Sequence, residues 1–434
     1  MVKDQDLFAF GKNYDNINFE GPLDWFFQLT PIEHVWKYQP SYLLVHFLFI
    51  FGGLITLLHA FIRGGRLPYL WLATVLHGLV VELICYFLPD VDNFWHSQTP
   101  IMFIGRRLPL HIIFLYPCFL YQSTVAVSKL KLPKWSEPFA VGLGVVLIDI
   151  VYDIVCVNFG HWTWHDTDPS IEDRFYWVPW NSFYFHATFA ASFSIWFQLT
   201  KKIIGNSNDK WASNGFIKEM ICVLITSLLG VPGGVLMFIP IYHPLHDIHK
   251  IHSEVTFMFL FSIFLLLTWL GDRSARGKES PKETQKTHWS SWLLIFHLIL
   301  HYATFLGMCL YFKPGNDISI GLKEPIGPCD EFSPVHTPFG MVLQKRKYLC
   351  PTNYDEKYFD WSCLPNKQPP PNGSIWYTSC IVQPKNMLEI TLIAACLSVI
   401  ALVVFINLHL NSFGDGVFER IKGLTKTTLK KKNK

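Results

Sequence analysis

Charge is scarce in this sequence. Asp, Glu, Lys and Arg make up 16% of its 434 residues, where a soluble globular chain carries roughly a quarter. Half of the residues are hydrophobic and mean hydropathy is +0.26. These values exclude a large soluble enzyme, a disordered chain, a coiled coil and a small disulfide scaffold. Chemical signatures are missing as well. There is no Walker loop, dinucleotide fingerprint, GxSxG or HExxH, so nucleotide-driven transport and the standard serine or zinc peptidase mechanisms have no support. A formal net charge of +3 says little by itself, and no nucleic-acid partner is expected.

Long apolar runs are what the chain does have. A helix crosses the bilayer core with about 20 mostly apolar residues. Nine windows qualify, near 41–62, 68–88, 108–128, 137–157, 181–199, 216–240, 251–270, 289–311 and 388–410. The expected fold is an all-α integral membrane helical bundle of about nine transmembrane helices. Residues 1–40 form a lumenal N-terminal segment without a cleavable signal pattern, and 41–311 an eight-helix core. Residues 312–387 form a cysteine-bearing lumenal or extracellular loop, 388–410 the ninth helix and 411–434 a basic cytosolic tail. The run Gly230-Val231-Pro232-Gly233-Gly234 is expected to kink or break the sixth span.

Three signals give the orientation. With the C-terminus cytosolic, the cytosolic segments carry 21 Lys or Arg, while the N-terminus and short opposite loops carry 7. That is the bias of cytosolic loops. Second, Cys329, Cys350, Cys363 and Cys380 are the only cysteines outside the spans, and they share a loop with the sole sequon, Asn372-Gly373-Ser374. An oxidising compartment, two disulfides of undetermined pairing and a glycan at Asn372 follow. Third, Lys430, Lys431, Lys432 and Lys434 close the chain. They read either as a dilysine retrieval signal of the endoplasmic reticulum or as an anchor to anionic lipid. The endoplasmic reticulum is the expected compartment, with the plasma membrane as the alternative.

Ionisable residues at membrane depth cost about 2.5–3.5 kcal/mol each to insert, so they are functional candidates. Asp149 and Asp153 are spaced to share one helix face. Glu82 lies near the lumenal end of the second span, and His186 near the start of the fifth. The following loop carries His161-Trp162-Thr163-Trp164-His165-Asp166-Thr167-Asp168, then Arg174 and Tyr176-Trp177-Val178-Pro179-Trp180. His243, His246, His249 and His252 repeat at every third position after the sixth span. The groups gather in the lumenal half. Asp149, Asp153, Glu82, Asp166 and Asp168 are the candidate acids and bases. His161, His165, His186, His243, His246, His249 and His252 are candidate ligands for zinc or iron, or proton partners. Trp164, Trp177, Trp180 and Arg174 are candidate substrate contacts, their alternative being an aromatic belt. Arg106 and Arg107 either bind an anionic headgroup or pair with the acidic loop. The HxxHH boxes of diiron desaturases are absent.

The pattern Asp149-x-x-x-Asp153-Ile-Val, then Trp162-Thr-Trp-His-Asp-Thr-Asp-Pro, Asp173-Arg-x-Tyr-Trp-Val-Pro-Trp and Tyr184-Phe-His-Ala, resembles a family of animal multi-pass membrane proteins. That family is a domain of unknown function, and the resemblance implies a fold without an activity. More distantly, the acid-bearing helix followed by Gly-x-Trp-x-Trp and Val-Pro-Trp-Asn is similar to the integral-membrane carotenoid hydratases and cyclases. That likeness implies Asp149 or Asp153 as a proton donor to a polyene. The sequence points to a lumen-facing enzyme on a lipid or isoprenoid, with a proton-coupled transporter and a non-catalytic scaffold as alternatives.

Overall fold

The computed structural model describes residues 11, 12, 17, 19–205, 209–276 and 287–410. The terminal lysines and most of the loop 271–288 lie outside the described residues. Two short helices, α1 (Pro22–Phe26) and α2 (Ile32–Tyr38), lead into the bundle. The long helices are α3 (Pro40–Arg63), α4 (Leu67–Phe87), α5 (Leu110–Ser128), α6 (Glu137–Asn158), α7 (Trp180–Ile204), α8 (Phe216–Tyr242), α9 (Ser253–Arg276), α10 (Ser291–Tyr311) and α11 (Met387–Leu410). Proline at the first or second position opens α3, α4 and α6, where its missing N–H costs nothing.

Among the described residues, eight helices are long and apolar enough to cross a membrane, all of the long ones except α7. The protein is therefore a multi-pass membrane protein. The count of nine is not met by composition. The fifth window does fold as one helix of 25 residues, but it carries Asn181, Ser182, His186, Ser192, Ser194 and Gln198. It can do so because it packs along both α6 and α8, so protein rather than lipid meets most of its surface.

The expected break in the sixth span is corrected by the structure. Helix α8 runs unbroken through Pro232 and Pro240. The glycines serve close packing instead. A Cβ at Gly230 would stand 2.6 Å from His77 Nδ1, at Gly233 2.3 Å from Ser192 Oγ, and at Gly234 2.3 Å from Phe189 Cδ1. Gly234→Ala should thus cost about 1–3 kcal/mol by overpacking, seen as a lower melting point in detergent. The sharper irregularity is in α5, where Pro117 starts a π-helical stretch, Pro117–Tyr121.

Helix α6 is the centre of the bundle, touching α5, α7, α9, α10 and α11. From Val151 to Asn158 every residue is buried. Its two aspartates face protein, not lipid.

One end of the bundle carries strands, which corrects the all-α expectation. Strands β1 (Phe27–Leu29), β3 (Ile101–Phe103) and β4 (Leu108–Pro109) form one sheet, while β2 (Phe94–His96) pairs with β5 (Trp162–Trp164) and β6 (Arg174–Phe175) with β7 (Val178–Pro179). The segment before α11 is also folded, not a bare loop. Strands β8 (Ile318–Leu322), β11 (Phe359–Asp360) and β12 (Trp376–Ile381) make a sheet in the order β11-β12-β8, beside the hairpin β9 (Phe332–His336) and β10 (Val342–Arg346). All six residues of β12, Trp-Tyr-Thr-Ser-Cys-Ile, are buried, which suits aromatic and β-branched side chains in a central strand. Disulfides join Cys329 to Cys350 and Cys363 to Cys380. Asn372 is exposed.

Candidate functional site

A cavity of about 290 Å³ opens between α4, α5, α6, α7 and α8, beneath β2 and β5. It lies at the end of the bundle next to the disulfide-bearing face. Its walls are mostly apolar and aromatic, and its polar groups converge from different helices. Asp153 comes from α6, Ser182 and His186 from α7, and Glu82 from α4.

The Asp153 carboxylate accepts the Ser182 hydroxyl at 2.7 Å. One turn back, Asp149 is fully buried behind the wall, its Oδ2 3.3 Å from His186 Nδ1. His186 Nδ1 also stands 2.8 Å from the Ser182 carbonyl. A carbonyl only accepts, so Nδ1 carries a proton. The ligand atoms of Asp149, Asp153 and His186 lie within 4.8 Å of one another, close enough to share a proton or hold a metal ion. On α4, Glu82 is held by two hydroxyls, Tyr86 at 2.7 Å and Tyr116 at 2.8 Å.

The other sequence candidates lie elsewhere. His161 and His165 flank β5, not a helix, and their rings part company. His161 Nε2 is 2.7 Å from Ser41 Oγ and its ring stacks on Tyr42. His165 Nδ1 accepts the Thr167 amide, which leaves its Nε2–H 3.1 Å from Glu324 Oε1. This neighbourhood is a dense set of buried charges that clamps the 165–174 loop to the disulfide-bearing region. Asp166 meets Arg346 at 3.4 Å, Asp168 meets Lys345 at 3.1 Å, and Arg174 meets Glu356 at 2.9 Å. Burial lowers His165 to about 3. It raises Asp166 to about 6 against the pull of Arg346, and Glu356 to about 7 against Arg174. Burial would raise Asp168 too, but Lys345 and the Ser170 hydrogen bonds outweigh it and hold the carboxyl below its ordinary value. His165, Asp166 and Glu324 form a second group with ligand atoms within 4.8 Å of one another.

The histidine run after α8 lies away from the cavity, and three of its four members share two aspartates. His243 and His246 both face Asp247, at 2.7 and 2.9 Å, and His246 and His252 reach Asp173 at 3.6 and 3.0 Å. Asp173 also caps α9 by accepting the Ser253 amide at 2.6 Å. Burial would raise Asp173, but the hydrogen bonds from His246 and Ser253 win and bring it to about 2. His249 is exposed. Trp164 lines the cavity. Trp177 packs on Tyr358, and Trp180 on Phe175, Phe183 and Phe257. Arg106 lies over Trp376, while Arg107 pairs with Asp92 at 2.7 Å, not with the acidic loop.

A model of a domain of unknown function, DUF7802, matches residues 15–410. The chain belongs to this family. Nothing matches it among curated proteins or solved structures.

In this DUF7802 chain, the site uses residues that sequence reasoning passed over. Tyr86 was legible as a helix neighbour of Glu82, and Ser182 as the residue one turn before His186. Tyr116 carries no local signal, because it reaches Glu82 from another helix. Glu324, Lys345 and Arg346 reach the 165–168 loop from more than 150 positions away.

Proposed function

We propose that this protein is a membrane enzyme acting on an apolar lipid or isoprenoid by proton transfer within the cavity. The observation that carries the reading is a largely apolar space of about 290 Å³ with Asp153, His186 and Glu82 on its wall. An apolar pocket with a few convergent polar groups is the common form of a small-molecule site. Asp153 acts as the acid or base, positioned by Ser182. Asp149, one turn behind, shares a proton with it, as close carboxyls do. His186 offers Nε2 as proton acceptor. One proton is given to one atom of the substrate and one is taken from another, so no redox partner is needed. Asp166 and Asp168 lie outside the cavity and receive no catalytic role in this reading.

Asp149, Asp153 and His186 favour a second version, in which these three residues would hold zinc or iron and the ion would supply an activated water. Proton-coupled transport is less favoured, because α8 runs unbroken where that reading needs an unwound path. The lysine and arginine bias, the disulfides and the exposed Asn372 support a lumenal or extracellular disulfide-bearing face and a cytosolic C-terminus, in the endoplasmic reticulum or plasma membrane.

Membrane lipids from cells expressing wild type and Asp153→Asn at matched levels test the reading by mass spectrometry. Wild type should convert one lipid class, and the variant should do so about 10²–10⁴-fold more slowly. Lipid profiles identical to those of cells lacking the protein would sink the enzyme reading. Elemental analysis of the purified protein separates the two versions. About one zinc or iron per chain, lost in His186→Ala, selects the metal form.

A further inference from the structure

The cavity has a charge preference of its own. Among its described lining residues there is no Lys or Arg, while two carboxyls, Glu82 and Asp153, face it from separate helices. Arg107, which lies over the Tyr86 ring, is engaged by Asp92 at 2.7 Å and by the Phe94 carbonyl at 3.2 Å. Both Glu82 oxygens are within hydrogen-bond distance of a tyrosine hydroxyl, Tyr86 at 2.7 Å and Tyr116 at 2.8 Å. A buried carboxylate needs a cationic partner, or it carries a large desolvation cost. Tyr116, Phe94 and Trp164 also line the cavity, and aromatic rings attract cations, as Trp164 already does Arg174 at 5.9 Å. Apart from Asp153, Ser182, His186 and a few other polar groups such as His77 and His96, the remaining wall is mostly apolar. Val81 and Cys85 on α4 and Val235 on α8 line the cavity while only half buried, so one side lies near the outer surface of the bundle, where lipid would stand.

We propose that the cavity takes a cationic amphiphile, an apolar chain bearing one protonated amine, with its nitrogen at Glu82 among Tyr116, Phe94 and Trp164. This rests on the reading of the cavity as a lipid-binding site and adds the chemical class of the headgroup. Glu82 is then the recognition residue, and Asp153 and His186, with Asp149 behind them, are left for the chemistry. A carboxylate or phosphate headgroup would be repelled by Glu82. A neutral alcohol would fill the same space without offsetting its charge.

Full-length protein in phosphatidylcholine nanodiscs, with protein-free nanodiscs as blank, is tested for saturable binding of tritiated dodecylamine. Dodecanol and dodecanoate compete. Dodecylamine is expected to bind at least about tenfold more tightly than dodecanol, with dodecanoate ineffective. Glu82→Gln should bring dodecylamine down to the level of dodecanol and leave dodecanol unchanged. Equal binding of amine and alcohol by wild type overturns the amine proposal and keeps the lipid cavity. A preference for the amine that survives in Glu82→Gln overturns it as well. If none of the three probes binds saturably, the cavity reading falls with it. The comparison within wild type decides even if the variant does not fold.

Discussion

Glu219→Ala is expected to destabilise the protein by about 3–5 kcal/mol, the loss that follows when one member of a buried ion pair is removed. Arg66 and Glu219 are both fully buried, with Arg66 Nε 2.8 Å from Glu219 Oε2. Arg66 sits in the short turn between α3 and α4, at the end of the bundle away from the disulfides. Its guanidinium lies 4.0 Å over the Phe197 ring and donates to the Phe197 carbonyl on α7 at 3.2 Å. Glu219 is in the first turn of α8, where a carboxylate suits the helix dipole, and its other oxygen accepts the Asn214 amide at 3.0 Å. The pair thus ties three helices and the 209–215 segment at one point. Alanine leaves the guanidinium buried and uncompensated, along with the Asn214 amide. Glu219→Gln keeps an acceptor and should fall between. Arg66→Met/Glu219→Leu, which removes both charges, should recover most of the loss, because desolvation offsets much of the attraction in such pairs. Unfolding in mixed micelles with increasing SDS measures all three. A loss below about 1 kcal/mol in Glu219→Ala would place the pair with solvent-screened bridges instead.

The spans were legible because lipid demands length and apolarity, and every window of the sequence reading except the fifth meets both tests. The fifth shows where hydropathy stops being informative. A helix surrounded by other helices can hold Asn181, Ser182 and His186, since its environment is chosen by neighbours distant in sequence. The glycines around Pro232 misled for a related reason. Glycine permits a break, but it equally permits Ser192 and Phe189 to approach the helix, and only the partner surfaces decide. Of the candidate site, Asp149, Asp153, Glu82 and His186, picked out by depth and spacing, do converge, together with Trp164 from the tryptophan-rich loop. The histidines at every third position from 243 to 252 do not join them, because the chain turns through a π-helical stretch, His243–Ile248, and a non-helical link before α9. The strand at 162–164 separates His161 from His165 for the same reason: helical spacing has meaning only on a helix. The even number of loop cysteines implied two disulfides, while their pairing had to await the sheet that brings Cys363 beside Cys380.

Asp317→Asn is expected to raise stability at pH 8 and to flatten its dependence on pH. Asp317 is 2% exposed at the edge of the disulfide-bearing region. Burial pushes its carboxyl from 3.8 up to about 7, with the hydrogen bond from Ser41 partly opposing. The Ser41 hydroxyl donates to Asp317, so its oxygen accepts from His161 Nε2–H at 2.7 Å. Burial holds His161 well below its ordinary value, so no neighbouring imidazolium relieves the charge. The direction follows from proton counting. Below pH 3.8 folded and unfolded chains both carry the proton, and ionisation costs the fold nothing. Between 3.8 and 7 the folded chain keeps a proton that the unfolded chain has lost, so stability falls as pH rises. Above 7 the cost is complete, at most about 4 kcal/mol. Asparagine accepts the Ser41 hydroxyl without a charge, so it should recover part of that cost at pH 8 and less at pH 5, where about 1.6 kcal/mol of it applies. Ser41→Ala removes the one hydrogen bond that favours the carboxylate and should steepen the decline instead. Melting of the three proteins in detergent between pH 5 and 8 checks the argument. Parallel curves for wild type and Asp317→Asn would show that Asp317 ionises freely in the fold and that the pH response has another source.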